Sequence, residues 1–379
     1  MKYTRFKELE LSRLGFGTMR LPMKDGEIDR EAVQEMVDYA IGHGVNYFDT
    51  AYPYHGGKSE IVIGEALSRH PREKWMIADK FPGHQTASSY EPSVIFEDQL
   101  RKCKVDKFDF YLMHNICEND FDVYMDPKWH ILEYFTEQKA NGRIGHLGFS
   151  AHGELETLER FLDSPYGSHM EFCQIQLNVL DWSHQKAEQK VELLRSRGIP
   201  IWVMEPLRGG KLLQAVSAQD AFNWLMDIPG VTMILSGMSA PEQMRQNIAI
   251  FEEPKPLTVE RTAELYAAVE KLKNSVPCTA CRYCCDRCPM GLDIPTLLQA
   301  RNDLAVETSF TPIMRMESLP ADQHPTNCIA CRACTKMCPQ GIDIPQAIKE
   351  LISMLEKAPT WAAICKEREE TARKLRENE

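Results

Sequence analysis

The feature that most constrains the fold of this 379-residue chain is a run of cysteines that occurs twice near the C-terminus. Residues 278–295 read CTACRYCCDRCPMGLDIP, and residues 328–345 read CIACRACTKMCPQGIDIP. Each run has the spacing C-x2-C-x2-C-x3-C, with a proline directly after the fourth cysteine. Gly291 and Gly341 then allow a tight backbone turn before Asp-Ile-Pro begins a helix. Thiols this close in sequence predict two compact sites whose local fold depends on what the thiols bind.

The same spacing, including the proline, is the one with which bacterial ferredoxins bind iron–sulfur clusters. In such a run the first three thiolates bind one cubane, and the fourth binds the cluster of the other run. The predicted ligands of two [4Fe-4S] clusters are therefore Cys278, Cys281, Cys284 and Cys288 from the first run and Cys328, Cys331, Cys334 and Cys338 from the second. Two structural zinc sites are the alternative, because four thiolates also suit tetrahedral zinc. Zinc modules usually bring two separated C-x2-C pairs, so the crowded spacing favours clusters.

The composition argues against several kinds of partner. A net charge of −11 is unfavourable for a nucleic-acid-binding surface, which needs clustered lysine and arginine. No stretch is apolar for long enough to span a membrane, and the polar N-terminus does not resemble an export signal. We therefore expect no nucleic-acid or membrane partner, and a location in the reducing cytoplasm, where thiols stay available to iron.

Between residues 14 and 251, short apolar runs alternate with longer amphipathic segments, a pattern typical of repeated βα units. Strands are predicted at residues 15–17, 46–49, 75–80, 108–114, 144–149, 172–177, 199–204 and 231–235. Eight such units over about 240 residues fit a (β/α)8 TIM barrel. A doubly wound sheet is the alternative, but it would normally have a glycine-rich turn after its first strand, and no GxGxxG occurs.

The predicted domains are a barrel over residues 1–255, a linker helix over 256–274 and an iron–sulfur domain over 275–379. Pro254 and Pro256 close the barrel region. About forty residues of mostly helical character separate the two cysteine runs, more than in the small β-sheet ferredoxins. We therefore expect a small, mainly α-helical ferredoxin-like domain, whose last helices cover residues 346–357 and 361–377.

In a TIM barrel the functional groups lie where the strands end, at the C-terminal rim. Asp49, Lys80 and His114 each end a predicted strand, and Tyr54 follows on the adjoining loop. This set suits carbonyl reduction, because hydride delivery to a carbonyl carbon leaves an oxyanion that needs a proton. A Lys80 ammonium held by Asp49 would lower the pKa of the Tyr54 phenol, and His114 would orient the carbonyl oxygen. Each residue alone also has a structural explanation, such as a rim ion pair or a hydrogen-bonded histidine.

These residues lie in motifs that resemble those of the aldo-keto reductases. Asp49-Thr-Ala-x-x-Tyr54, Lys80 after the third strand and His114 after D-x-Y-L-x-H resemble the catalytic tetrad of that family. The resemblance covers roughly residues 1–255, and the whole chain is similar to the branch with a C-terminal ferredoxin-type domain. It implies a (β/α)8 barrel, NADPH or NADH lying across the rim, and reduction of an aldehyde or ketone. Tyr54 would be the proton donor, Lys80 and Asp49 its tuning pair, and His114 the group that orients the carbonyl.

The resemblance also implies which residues contact the nicotinamide cofactor. They are Ser150, Gln174, Met204, Pro206, Leu207, Gly210, Ser236, Gly237, Met238, Gln243 and Asn247. Ala151 follows Ser150 where many members of the family have asparagine, and Met204 stands where they stack a tyrosine on the ring. Gly237 and Gln243 replace the basic residues that commonly bind the NADP 2′-phosphate, with Arg245 nearby but off register. These departures weaken the case for NADPH over NADH.

The two kinds of chemistry differ in electron count, because a hydride moves two electrons together and each cluster moves one. Three schemes stay open: clusters that reduce a bound carbonyl in two steps, a flavin or partner protein that converts between the two, and clusters that serve only structure or sensing. The sequence predicts a cytoplasmic NAD(P)H-linked carbonyl oxidoreductase with a small carbonyl substrate and a ferredoxin or other redox partner. A non-catalytic electron-transfer or redox-sensing subunit on a reductase-like barrel is the alternative, since one fold hosts many functions.

Overall fold

The computed structural model describes residues 1–83, 91–118, 120–184, 187–270, 272, 275–306 and 311–359. The chain divides into two compact units, Met1–Lys273 and Asn274–Glu379. The helix predicted over residues 361–377 lies outside the described residues. Among the helices that are described, none is both long and apolar enough to cross a membrane.

The first unit is built on a closed barrel. The strands of the described residues are β1 (Tyr3–Phe6), β2 (Leu9–Ser12), β3 (Leu14–Gly17), β4 (Met23–Lys24), β5 (Glu27–Ile28), β6 (Tyr47–Asp49), β7 (Met76–Phe81), β8 (Phe108–Ile116), β9 (Ile144–Ala151), β10 (Cys173–Gln176), β11 (Ile201–Met204) and β12 (Val231–Gly237). Strands β3 and β6 to β12 form the barrel, in which neighbours are parallel and β12 pairs with β3. Each of the eight predicted strands overlaps one barrel strand, so the prediction of a (β/α)8 barrel is confirmed.

Helices follow the barrel strands along the chain. Those of the first unit are α1 (Arg30–Gly42), α2 (Ser59–Leu67), α3 (Pro92–Cys103), α4 (Phe121–Met125), α5 (Ile131–Ala140), α6 (Leu155–Asp163), α7 (Asp181–His184), α8 (Ala187–Ser196), α9 (Ala218–Met226), α10 (Pro241–Glu252) and α11 (Val259–Glu270). Helix α1 shows why these segments are helical. Asp29 caps its first turn by accepting the backbone N–H of Ala32 at 3.0 Å, and Val33, Met36 and Val37 form a buried face at helical spacing.

The amino end of the barrel is closed by a hairpin that precedes the first barrel strand. Strands β1 and β2 pair antiparallel and bring Phe6 against Trp202, with ring centroids 5.0 Å apart. Leu11, Tyr47 and Phe110 belong to the same buried cluster. Tyr47, Phe110 and Trp202 are among the first three residues of their barrel strands, so apolar packing fills the amino end of the barrel. The carboxyl ends of the strands are left to carry a functional site.

The second unit is a helical domain, and its described residues contain no strand. Its helices are α12 (Ile294–Val306), α13 (Thr311–Glu317), α14 (Ala333–Lys336) and α15 (Ile344–Lys357). Helices α12 and α15 pack together through a core that includes Leu297 and Ile348, and Arg301 forms an ion pair with Glu350 at 2.7 Å. Cysteines of both runs pack against the same core. The predicted mainly α-helical character is therefore confirmed.

Candidate functional site

The three ionisable residues predicted at the rim lie at or near the carboxyl ends of neighbouring strands. Asp49 ends β6, Lys80 is the penultimate residue of β7, and His114 lies near the end of β8. All three are buried. The ammonium of Lys80 donates to Asp49 Oδ1 at 2.5 Å and to the carbonyl of Thr50 at 2.6 Å. The barrel therefore holds the Lys80 ammonium in one position, between two acceptor oxygens at the carboxyl end of β6.

Tyr54 joins this group from the loop after β6. It begins a short 3-10 turn, Tyr54–Gly57, in which His55 has a left-handed φ of 52°. The Tyr54 ring centroid lies 5.0 Å from Lys80 Nζ, and the ring contacts that of His114 edge to face, with centroids 6.0 Å apart. The structure thus brings all four predicted catalytic residues together in a buried cluster.

The pKa of the Tyr54 phenol differs from the sequence-based expectation. Burial, reinforced by the negative charge of Asp49, raises the pKa of Tyr54 well above its ordinary value of 10.0. The net direction is therefore opposite to the predicted lowering by Lys80, because burial of the phenol is the largest cause. Burial also raises the pKa of Asp49, against the opposing effects of Lys80 and Gln174. Tyr54 consequently keeps its proton at neutral pH and is available as a donor.

A buried acceptor beside the tetrad fits an amide-bearing ligand. Gln174 of β10 is aligned with Ser150 of β9, and Ser150 Oγ accepts the backbone N–H of Asn115 at 2.8 Å. Gln174 Oε1 is buried and has no hydrogen-bond partner among the described residues. An unpaired buried acceptor costs about 1–3 kcal/mol, which a ligand N–H would recover. The residues present therefore fit the carboxamide of a nicotinamide ring.

The other predicted cofactor contacts lie in the loops after β11 and β12 and on α10. Met204 ends β11, and Pro206, Leu207 and Gly210 follow it. Ser236 and Gly237 end β12, and Met238 follows it. Asn247 of α10 donates to Ser236 Oγ at 3.0 Å, and Gln243 Oε1 accepts the backbone N–H of Ser239 at 2.8 Å. The Met238 side chain is packed in the hydrophobic core. Arg245 forms ion pairs with Glu35 and Glu242.

Sequence reasoning missed an ion pair across the rim. Arg20, from the loop after β3, bonds Glu205, which follows β11, at 2.7 Å. The Arg20 side chain also lies along Gly237 at the end of β12. Glu205 has a left-handed φ of 54°, and Asn115 beside His114 has one of 62°. Left-handed non-glycine residues collect at functional sites, but they leave no signal in a single sequence.

A buried network of hydrogen bonds and an ion pair holds the loop that contains Glu205. Asp181 Oδ2 accepts hydrogen bonds from Gln176 at 2.7 Å and Asn178 at 2.6 Å, and Asp181 Oδ1 lies 3.1 Å from Arg208. Asn178 also donates to the carbonyl of Glu205 at 3.1 Å. Both members of the Asp181–Arg208 pair are almost fully buried. The network therefore ties the ends of β10 and β11 together.

Replacing Asp181 with alanine is expected to destabilise the barrel by about 3–5 kcal/mol, because it leaves the buried Arg208 charge without its carboxylate. The measurement is the free energy of unfolding of the barrel in guanidinium chloride, followed by circular dichroism. Glu192→Ala is the matched control, since it breaks an exposed pair with Arg195 that contributes less than about 1 kcal/mol. Equal losses in the two variants would contradict the structural role of the buried pair.

In the second unit, the cysteines line two cavities. One is lined by Cys288 together with Cys328, Cys331 and Cys334. The other is lined by Cys338 together with Cys278, Cys281 and Cys284. The fourth cysteine of each run thus lies with the first three of the other run, as the ferredoxin spacing predicts. Each donor set is four thiols, which fits an iron–sulfur cubane.

The backbones around the two cavities repeat each other closely. Arg282 and Arg332 both have left-handed φ, of 68° and 62°, and each pairs at 3.0 Å with the aspartate 11 positions later, Asp293 or Asp343. The N–H of Ala280 donates to Cys278 Sγ at 3.4 Å, the kind of bond that tunes cluster potentials. The extra thiol, Cys285, is absent from the described lining of either cavity.

Comparisons with known proteins agree with this geometry. Residues 277–343 match the sequence model of a 4Fe-4S dicluster domain. The NADH-specific methylglyoxal reductase of Escherichia coli is 24% identical over 303 residues, covering 64% of this chain and 90% of that protein. The probable aldo-keto reductase 1 of Glycine max is 28% identical over 211 residues, covering 53% of this chain and 57% of that protein.

Solved structures share the barrel fold. An aldo-keto reductase from Bacillus halodurans superposes with a TM-score of 0.56 at 22% identity, covering 71% of this chain and 96% of that one. One from Klebsiella pneumoniae, in complex with NADPH, gives a TM-score of 0.57 at 22% identity, covering 70% and 93%. The sequence model of the Aldo/keto reductase family matches residues 13–220, more than half of the chain. The chain therefore belongs to the aldo/keto reductase family, as an oxidoreductase with a C-terminal 4Fe-4S domain.

Proposed function

We propose that the barrel reduces an aldehyde or ketone with a hydride from NADH, and that the second unit holds two [4Fe-4S] clusters that exchange electrons with a redox partner. The observation that carries the proposal is the buried cluster of Asp49, Tyr54, Lys80 and His114 at the carboxyl ends of the barrel strands. The unpaired acceptor of Gln174 beside it supports a nicotinamide ligand. An NADH-specific reductase of a small dicarbonyl is among the chain's relatives.

The nicotinamide, when bound, supplies the hydride that adds to the carbonyl carbon. The residues of the chain then manage the charge and the proton. His114, edge to face with Tyr54, is placed to orient the carbonyl oxygen. Tyr54 donates its phenolic proton to the oxyanion as negative charge develops there. Lys80, held by Asp49 and the Thr50 carbonyl, lies over the Tyr54 ring and stabilises the phenolate that remains.

The residues expected to contact the adenosine end of the cofactor favour NADH over NADPH. Gly237 and Gln243 offer no positive charge for a 2′-phosphate, and Arg245 is already paired with Glu35 and Glu242. A lost charge-assisted hydrogen bond of about 1.5–3 kcal/mol corresponds to roughly tenfold or more in affinity. We expect kcat/KM for NADH to exceed that for NADPH by about tenfold, and Gln243→Arg to reduce the ratio, whereas Gln246→Arg, exposed on the same helix, should not. Equal kcat/KM values for the two cofactors in the unaltered protein would contradict this.

The test of the proposal is an anaerobic titration of cluster-loaded protein with NADH and then NADPH, in the presence of a carbonyl panel that includes methylglyoxal. Visible absorption follows nicotinamide oxidation and cluster bleaching together. Carbonyl-dependent oxidation of NADH is expected. Its absence in protein with both clusters loaded would refute the reductase.

A non-catalytic electron-transfer or sensing subunit is the second candidate, favoured by Ala151 after Ser150 and by Met204 in place of a ring-stacking tyrosine. The same titration separates the two. Cluster bleaching by NADH would show that hydride and single-electron chemistry are connected, which requires a converting group such as flavin or a partner. Bleaching by a one-electron donor without any carbonyl reduction would favour the second candidate. The cytoplasmic location stays a prediction.

A further inference from the structure

The turn that carries Tyr54 has an unfavourable backbone conformation at the next residue. His55 has a left-handed φ of 52°, and Gly56 and Gly57 follow with positive φ. This conformation is strained for a residue with a side chain and not for glycine. A non-glycine residue persists in it only when surrounding contacts fix it there. The side chain of His55 is therefore expected to make a contact that the turn needs.

That contact reaches the turn after the first barrel strand. His55 Nε2 accepts the backbone N–H of Leu21 at 3.2 Å. Leu21 is buried, and a buried backbone N–H that lacks an acceptor is destabilising, so the imidazole and this turn stabilise each other. A ring nitrogen accepts a hydrogen bond only when it carries no proton. The contact therefore exists only while the imidazole is neutral.

The partner of His55 is a well-anchored segment, residues 18–21, which we call the β3 turn. Thr18 Oγ1 donates to the carbonyl of Asp49 at 2.9 Å and forms a second hydrogen bond with Ser59 Oγ at 2.7 Å. Both hydroxyl-bearing residues are fully buried. The β3 turn thus binds the chain before the catalytic tyrosine, at Asp49, and after it, at Ser59. His55 adds a third bond, next to the tyrosine itself.

The position of the Tyr54 phenol depends on this backbone. The contacts that the structure shows for its side chain are ring contacts, with Lys80 Nζ 5.0 Å from the ring centroid and with His114 edge to face. Neither contact fixes the direction of the phenolic oxygen as a hydrogen bond would. A displacement of about 1 Å of a catalytic group can lower a rate about 10²-fold. The backbone of the turn therefore decides how well Tyr54 is aimed at the substrate.

We propose that His55 is a positioning residue for Tyr54: its neutral imidazole ties the tyrosine to the β3 turn, and protonation of the ring at mildly acidic pH releases it. The inference rests on the proposed function, because it concerns the step in which Tyr54 protonates the reduced carbonyl. In that step the phenolic O–H bond breaks, and the proton goes to the oxygen of the carbonyl whose carbon has received the hydride. His55 transfers no proton to the substrate.

The direction of the pH dependence follows from the surroundings of the ring. Burial lowers the pKa of His55 below its ordinary value of 6.5, although backbone groups of Met19 and Thr18 act in the opposite direction. The bond to Leu21 is therefore present above about pH 6.5 and is lost as the pH falls through the lowered pKa. The charged side chains of the neighbouring segments are paired: Arg20 with Glu205, Lys58 with Glu27, and Lys102 with Glu60.

The test compares His55→Leu with His55→Gln. Both new side chains are unbranched at Cβ and meet the same strain at a left-handed φ, but only glutamine carries an acceptor that reaches the place of Nε2. We expect His55→Leu to lower kcat for NADH-dependent carbonyl reduction about 10- to 100-fold at about pH 7.5, with KM for NADH within about twofold. His55→Gln should keep kcat within about threefold and should lack the decline in kcat that the unaltered protein shows below about pH 6.5.

His70→Leu is the matched control. It removes an imidazole that bonds Asp38 of α1 at 2.7 Å, away from the tetrad. Its kcat and the pH profile of its kcat should match those of the unaltered protein.

A second measurement reports the contact without catalysis. The ¹⁵N NMR spectrum of histidine-labelled protein shows which ring nitrogen carries the proton, and the signal missing in His55→Gln assigns His55. We expect Nε2 to be unprotonated at about pH 7.5 and the ring to titrate below about pH 6.5. If His55→Leu does not fold, as seen by circular dichroism, this spectrum and the pH profile of His55→Gln decide the matter.

An unchanged kcat in His55→Leu, equal losses in both His55 variants, or an acid decline that persists in His55→Gln would overturn the proposal. A protonated Nε2 at about pH 7.5 would overturn it as well. Failure of the proposed function is a separate result, in which unaltered protein with both clusters oxidises no NADH with any carbonyl while the NMR signals of His55 are those expected.

Discussion

Replacing Tyr54 with phenylalanine is expected to lower kcat for carbonyl reduction by roughly 10²–10⁴-fold, because the oxyanion loses its positioned proton donor. The nearby side chains cannot substitute for it: Lys80 is held between Asp49 and the Thr50 carbonyl, and His114 packs against the edge of the missing phenol. The substitution removes one oxygen and retains the ring, so the affinity for the nicotinamide should change little. Steady-state rates with NADH and the carbonyl panel, measured anaerobically, test the expectation.

Tyr52→Phe is the matched control, since it makes the same chemical change two residues earlier. Tyr52 lies under the ammonium of Lys102, 4.4 Å from Nζ to the ring centroid, and has no contact with the tetrad that the structure shows. Its kcat should stay within about twofold of the unaltered protein. An unchanged kcat in Tyr54→Phe, with both clusters loaded, would contradict the assignment of Tyr54 as the proton donor.

The pH dependence follows from the same residue. Burial raises the pKa of Tyr54 above its ordinary value of 10.0, so the free protein keeps the phenol protonated throughout the neutral and mildly alkaline range. An acid catalyst is active in its protonated form, and its contribution is lost only as the pH rises through its raised pKa. We therefore expect no decline in kcat/KM from this group between about pH 7 and pH 10. A decline centred near pH 8 would point to a different acid.

Cys281→Ser is expected to release the cluster of its cavity and to unfold the second unit while sparing the barrel. The cysteines pack against the same small core as Leu297 and Ile348, so the cluster and the core support each other. Bound iron should fall from about eight atoms per chain to about four or fewer. Iron analysis, visible absorption and limited proteolysis report the loss, and circular dichroism of the residual fragment reports the intact barrel.

Cys285→Ser serves as the control for that experiment. The thiol is adjacent to Cys284 in the chain but does not appear in the described lining of either cavity. Its equivalent in the second run is Thr335, whose hydroxyl accepts the backbone N–H of Ile344 at 3.2 Å, so a serine hydroxyl suits the position. Iron content should be retained. A protease-resistant second unit that contains no iron in Cys281→Ser would contradict the coupling of cluster and fold.

Much of the architecture could be predicted from local sequence patterns. The eight barrel strands were predictable because each buried strand is a short apolar run, and the cysteine runs were predictable because cluster ligands follow a fixed local spacing. Boundaries were less certain: β8 extends to Ile116, beyond the predicted end at His114, because its pairing with β9 shifts register between Met113 and Ile116. That irregularity is accompanied by the left-handed Asn115, which no propensity indicates.

The candidate tetrad could be named from the sequence because parallel strands bring their carboxyl ends to one rim, whatever the details of packing. The pKa values of the tetrad could not be predicted from the sequence. The pKa of Tyr54 is raised chiefly because the phenol is buried, with a further contribution from the negative charge of Asp49, and burial is a property of the assembled barrel. The Arg20–Glu205 pair likewise joins residues 185 positions apart in the chain.

The two cysteine runs show most clearly which features follow from the sequence and which from the tertiary structure. Their similar sequences predicted the cluster ligands and the turns, because those features depend on residues within a few positions of one another. Only the tertiary structure decided that Ile329 is exposed and Thr279 buried, since exposure depends on which distant segments cover a site. Local chemistry follows from sequence, whereas charge balance, burial and access follow from packing between segments far apart in the chain.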